Sequence, residues 1–192
     1  MLTSIHPLGE RARQNRWAIT VTAYVIGAVG AGAAVGAVLG WFGSLLPGGD
    51  WRWAAAVLAV GLAGLLDLVR ATPPGIKRQV NEDWIGTYRG WVYGGGFGAQ
   101  LGVGVSTFVV TWGTWATWVL SILSGGPAAG AIIGAVFGFG RSVFPLAAGW
   151  IDRPSRLVSF SRTLAAAAAP VARITAAGFI VVALAAGVGR VM

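Results

Sequence analysis

Long apolar runs broken by short polar punctuation set the pattern of this chain. They fall at about 17–46, 53–69, 91–123, 128–151 and 171–190. About 20 apolar residues in helical conformation cross a hydrocarbon layer of ~30 Å. The pattern therefore predicts an all-α integral membrane protein with five transmembrane helices. A sixth would arise if the Ala-rich stretch 163–169 inserts, or if one of the two longest runs contains a break. Residues 1–16 read as a cytoplasmic tail and 17–192 as a single transmembrane domain. The first run follows Glu10, Arg11, Arg13 and Arg16, is too long for the apolar part of a signal peptide and lacks an evident cleavage site, so it reads as a retained span.

Within the runs, small residues recur every fourth position. Gly32, Gly36 and Gly40 do so in the first, extended backwards by Ala28; Gly94, Gly98 and Gly102 in the third, continued by Ser106; Gly130, Gly134 and Gly138 in the fourth. On a helix this spacing makes a flat strip that lets two backbones approach closely. The stretch "GWVYGGGFG" lacks the preceding strand of a dinucleotide-binding turn, so its glycines read as packing residues.

A second row crosses the third run. Gln100, Thr107, Thr111 and Thr114 stand at relative positions 0, 7, 11 and 14, one face of a continuous helix. Either the hydroxyls bond back to carbonyls four residues earlier, or the stripe lines a solute pathway together with Ser106. Two ionisable residues lie within the runs, Asp67 and Arg141. Alignment of 54–71 with 128–145 at an offset of 74 sets them opposite one another. This suggests an internal repeat of two helical hairpins, with Asp67 and Arg141 as a gate or a structural ion pair; Asp67 pairing with Arg70 is the alternative.

The connection 71–91 is the most polar stretch. After Pro73 and Pro74, the positions Ile76, Val80, Trp84 and Tyr88 recur every fourth residue, as expected of a cytoplasmic interfacial amphipathic helix. Its residues Lys77, Arg78, Trp84 and Arg89 would meet anionic lipid or a partner subunit. Residues 155–170 form a second such candidate. Trp17, Trp51, Trp53, Trp84, Trp91 and Trp150 fall near run ends, where indoles anchor at headgroup level. Trp112, Trp115 and Trp118 cluster in the third run, where they pack against neighbours or stack on a ligand.

Composition changes the picture in three ways. Only 10% of the 192 residues are charged and mean hydropathy is +0.72, far from a soluble domain. The net charge of +8 is unevenly spread: of 14 basic residues, 12 lie in the N-terminal tail, between the second and third runs, or from Arg141 to Arg173, whereas Arg52 and Arg190 are the 2 others. By the positive-inside rule the N-terminus is cytoplasmic and the C-terminus outside the inner membrane. The basic side would face anionic lipid, and no nucleic acid is expected. Cysteine is absent and the lone histidine, His6, reads as a solvated tail residue. With no nucleophile–base pair or carboxylate dyad either, no catalytic residue, metal or cofactor is expected. Richness in Ala, Gly and Arg, with Lys77 as the sole lysine, suggests a bacterial genome of high GC content.

The stretch "GFGAQLGVGVSTFVVT" resembles the glycine-rich opening of a core helix in the membrane domain of cytochrome c biogenesis and DsbD-type thiol reductant carriers, and through them LysE-like exporters. The likeness covers about 91–145. Where those carriers hold a Pro-Cys pair, this chain reads Val105, Ser106, Thr107, so their redox chemistry is not implied. The resemblance implies repeated helices around a central cavity with Ser106 and Thr107 at its middle. Two functions stay open: a small-solute transporter or exporter without redox chemistry, acting as a homo-oligomer, or a non-catalytic scaffold or accessory subunit of a larger membrane complex.

Overall fold

A computed structural model of the protein describes residues 5–76, 84–107 and 109–189. Eight α-helices lie along the described residues: α1 (Pro7–Ala12), α2 (Trp17–Ser44), α3 (Trp51–Leu68), α4 (Trp84–Thr87), α5 (Gly90–Val103), α6 (Gly113–Leu123), α7 (Pro127–Ala147) and α8 (Pro154–Val188), with a 3₁₀ turn at Ala148–Trp150 after α7. Four stretches are helical, long and apolar enough to cross a membrane: α2, α3, α7 with its 3₁₀ turn, and α8.

The core is inverted relative to that of a water-soluble bundle. Small residues face inward and bulky apolar ones outward: Ile26 is 66% exposed, Leu58 71% and Ile132 65%. Lipid removes the hydrophobic drive between helices, so close backbone packing must hold such a bundle.

Helix α2 is the axis of that packing, and one row of its residues serves two neighbours. Thr20, Tyr24 and Ala28 lie against Gly94, Gly98 and Gly102 of α5, the two helices running parallel; Gly32, Gly36 and Gly40 lie against Gly134, Gly130 and Gly126, with α7 antiparallel. A Cβ on Gly98 would sit 1.9 Å from the Tyr24 carbonyl oxygen, and one on Gly134 would sit 2.0 Å from that of Gly32. No side chain larger than hydrogen fits at either position. Ala28 is the hinge point of the row, touched by Gly102 of α5 and by Gly138 of α7.

Helices α3 and α8 form a second, antiparallel pair through Gly64 against Ala176, Phe179 and Ile180. Helix α8 is continuous through Pro170, so 155–170, expected as a separate interfacial segment, is the first half of the last helix. The loop after α2 is tied by Arg52, whose guanidinium donates to the carbonyls of Gly43 (2.8 Å) and Leu46 (2.7 Å) at the helix C-terminus. A cation there complements the helix dipole.

Two expectations change. His6, expected as a solvated tail residue, is buried: α1 folds onto the bundle, with His6 at its N-cap accepting from the Gly9 N–H at 3.2 Å. Pro7 at the first helical position is pre-set for such a start. In the connection 71–91, where one amphipathic helix is expected, residues 71–76 are not helical and 84–87 form one helical turn; 77–83, with Lys77 and Arg78, lie outside the described residues. Trp84 rests on the Gly96 face of α5 and stacks on Phe97, while Arg89 is exposed at the N-cap of α5.

Candidate functional site

The third apolar run is not one helix. It divides into α5 and α6, and the described residues between Val103 and Gly113 are not helical. Gly104 begins the break with φ +77°, a left-handed value that glycine adopts without steric cost. The chain beyond it is rich in residues that favour leaving a helix: Val105, Ser106, Thr107, Val109, Val110 and Thr111. Because Gly102 sits beside Ala28, eleven residues beyond the start of α2, the break lies within the bundle and not at its end.

The expected polar face over Gln100, Thr107, Thr111 and Thr114 is therefore corrected, since no continuous helix joins them. Gln100 takes part through its backbone, accepting from the Ser106 hydroxyl at 2.6 Å. Thr107 is buried with its hydroxyl unpartnered among the described residues, and Thr114 is buried against Gly104 at the start of α6. Back-bonding to carbonyls four residues earlier occurs instead at Thr117 (2.8 Å) and Ser121 (3.0 Å).

Asp67 and Arg141 do not pair with each other either. Each holds one end of the break. Asp67, at the last turn of α3, accepts the Trp112 N–H at 2.8 Å and the Thr111 hydroxyl; that hydroxyl in turn accepts the Gly113 N–H at 3.0 Å. A carboxylate thus sits on the first amides of α6. Arg141, one turn beyond Gly138 on α7, reaches the Gly104 carbonyl at 3.4 Å and lies over the Phe137 ring at 5.4 Å. A cation thus sits at the carbonyl end of α5. Both placements match the helix dipoles and supply partners to groups that the break deprives of intrahelical bonds.

The tryptophans of α6 brace the same region. The indole N–H groups of Trp112 and Trp115 donate to the carbonyls of Ala71 and Pro74, both at 2.9 Å, and Trp118 packs edge-on against Phe137 at 5.0 Å. Val109 lies against Gly75. The loop 71–76 is thereby pinned beneath the break.

Beside Arg141 lies a cavity of about 100 Å³. Phe97 and Leu101 of α5, Phe144 and Pro145 of α7, and Tyr24 of α2 line it, with Ile5 closing the end nearest α1. Its walls are almost wholly apolar apart from the guanidinium.

A group that sequence reasoning missed sits at the end of the bundle where α2 begins. Glu10 is fully buried and accepts from Arg13 (2.8 Å), the Thr20 hydroxyl (2.8 Å) and the Tyr93 hydroxyl. It pins α1 to α2 and α5. The local signal, a glutamate among arginines in the tail, is that of a solvated segment; the partners that bury it are 10 and 83 residues away. Next to it His6 is buried, not solvated, and burial, followed by the nearby Arg13, holds its imidazole below the ordinary histidine range against the opposing pull of Glu10.

Comparison with protein-family models, with characterised proteins and with solved structures finds no match to this chain.

Proposed function

We propose that the protein carries a small solute across the bacterial cytoplasmic membrane, with the break between α5 and α6 as the place where the solute is held. Five membrane passages result when α5 and α6 together make the third. The N-terminus lies inside and the C-terminus outside, which sets most basic residues against anionic headgroups. The observation that carries the reading is the break itself, a discontinuous helix deep in the bundle with Asp67 on the amide end and Arg141 on the carbonyl end. Broken helices with charged partners are the recurring means by which membrane carriers expose backbone groups to a solute. The likeness of 91–145 to the opening of a carrier helix points the same way. Ser106, Thr107, Thr111 and Thr114 would line the pathway, and at this length a homo-oligomer is the expected working unit.

Reconstitution tests the reading. Liposomes holding the protein should pass at least one of a panel of labelled probes (acetate, butyrate, glycine, chloride, ammonium) faster than protein-free liposomes. Thr107→Val should slow that flux without loosening the fold, because it removes a hydroxyl that has no partner among the described residues. Flux equal to protein-free liposomes for the whole panel sinks the carrier reading.

A second reading, an accessory subunit of a larger complex, draws on one feature. Helix α8 packs on α3 through its C-terminal half, while most of 154–175 is exposed. A stoichiometric larger partner in the mass of the gently extracted complex would favour it.

A further inference from the structure

Arg141 presents an imbalance that the break does not explain. A guanidinium has five N–H donors in a planar fork, and here one of them makes a single long bond to Gly104 at 3.4 Å. Among the described residues no carboxylate answers its charge. Glu10 is taken by Arg13, Thr20 and Tyr93, and Asp67 by Thr111 and Trp112. An isolated charge within a membrane domain is costly unless it meets an opposite charge or water.

The cavity beside it supplies the rest of the specification. Tyr24 lines the same space and its hydroxyl makes no hydrogen bond among the described residues, so two residues that carry donors border one apolar pocket. Multivalent inorganic anions need many donors around them; of the donor side chains among the described residues, Arg141 and Tyr24 alone border this pocket, beside Phe97, Leu101 and Phe144. Its volume of about 100 Å³ equals roughly three waters. That volume admits one carboxylate bearing a short alkyl chain.

We infer that the cavity between α2, α5 and α7 is a binding site for a small monocarboxylate, its carboxylate on Arg141 and Tyr24 and its chain against Phe97, Leu101 and Phe144. The site itself stands on these contacts; only its role as a stopping place for the solute beside the break rests on the carrier reading above. Bidentate guanidinium–carboxylate bonding sets orientation, and the apolar walls set chain length.

Equilibrium binding of labelled butyrate to the full chain in phosphatidylcholine nanodiscs tests this, since that lipid supplies no free carboxylate of its own. Saturable binding is expected, weakened at least tenfold by Arg141→Gln, a few-fold by Tyr24→Phe, and abolished by Leu101→Trp, which fills the space. Sulfate and chloride should not compete, and Arg162→Gln on exposed α8 should bind as the native chain does. Absence of saturable binding, or binding that Arg141→Gln and Leu101→Trp both leave unchanged, overturns the inference. Palmitate binding with butyrate excluded also overturns it and makes the pocket a seat for a lipid chain. Should Arg141→Gln fail to fold, Tyr24→Phe and Leu101→Trp decide the matter. Butyrate binding in a protein that passes no probe in liposomes upholds the site and removes only the carrier reading.

Discussion

Replacing Gly36 by alanine tests the central claim about packing, and the same helix provides its control. A Cβ on Gly36 would lie 2.1 Å from the Gly130 carbonyl oxygen, 2.9 Å from its carbon and 3.1 Å from the Gly134 Cα. These are backbone atoms of another helix and have no rotamer in which to escape. Restoring an ordinary carbon–oxygen contact of about 3.3 Å requires α2 and α7 to part locally by about 1.2 Å. Gly32 and Gly40, at the same crossing with 2.2 Å and 2.3 Å to their opposing oxygens, would be lifted with it. Overpacking of a tight contact costs about 1–3 kcal/mol. The gain in helix propensity on replacing glycine by alanine, about 1 kcal/mol at most, offsets part of this. Gly30 lies on the same helix with nothing within 4 Å of its Cβ position, so Gly30→Ala collects the propensity gain without the clash. Because both variants share the propensity gain, the pair should differ by the overpacking cost, about 1–3 kcal/mol, roughly 2–12 °C in the unfolding midpoint for a chain of this size. Tryptophan fluorescence during thermal unfolding in mild detergent reads the midpoint. Coincident midpoints for Gly36→Ala and Gly30→Ala would refute the claim that backbone contact across α2 and α7 holds the bundle.

Three further outcomes are expected. Asp67→Ala should remove about 2 kcal/mol by stripping a charged acceptor from Trp112 and Thr111, with Asp67→Asn keeping roughly half; hydrogen exchange at the Trp112 and Gly113 amides should rise, and unchanged exchange would contradict the cap. Glu10→Ala should cost about 2 kcal/mol, since it removes the charged acceptor shared by Arg13, Thr20 and Tyr93 and frees α1; amides 7–12 that stay protected in this variant would show that α1 is anchored by something else. Because the docked His6 has its pKa lowered from 6.5, docking of α1 is at full strength above that value and weakens as pH falls below it, the undocked segment taking up the proton more readily. Exchange of amides 7–12 that is no faster at about pH 5 than at about pH 7.5, after correction for intrinsic rates, would deny that coupling.

What could be read from the sequence divides by the range of the interaction. The glycine rows are periodic within single helices, so Gly32, Gly36 and Gly40 could be read as a strip, although only the fold shows that they meet Gly134, Gly130 and Gly126. The break could not be read from its first residue, because Gly104 falls among glycines that are helical. A usable signal lay just downstream in the concentration of β-branched residues from Val105 to Thr111, which hydropathy treats as ordinary span. Pairing Asp67 with Arg141 by alignment assumed two equivalent, unbroken hairpins. Once the third apolar run is split, each charge has a nearer partner in the backbone ends of the break, and the correspondence at an offset of 74 ceases to be a contact. Glu10 was illegible for a different reason: a carboxylate is buried only where donors converge, and Tyr93 arrives from another helix.

The break is also the point at which stability and function part company. In lipid an uninterrupted helix satisfies every backbone group internally, whereas an interruption exposes several amides and carbonyls at a cost of several kcal/mol for each one left unpaired. Nothing in packing alone requires the third apolar run to be interrupted, since α2 shows that a glycine-rich helix of 28 residues runs unbroken beside it. Asp67, Thr111, Ser106 and Arg141 repair much of the loss, and this repair places Asp67 and Arg141 where they face backbone instead of each other. An arrangement that spends polar side chains to maintain a gap is stable only relative to the gap, not relative to the plain helix. Under the carrier proposal the reason to keep it is the solute that the gap admits, and the cavity proposed to hold a carboxylate lies beside the gap, with Arg141 shared between the two.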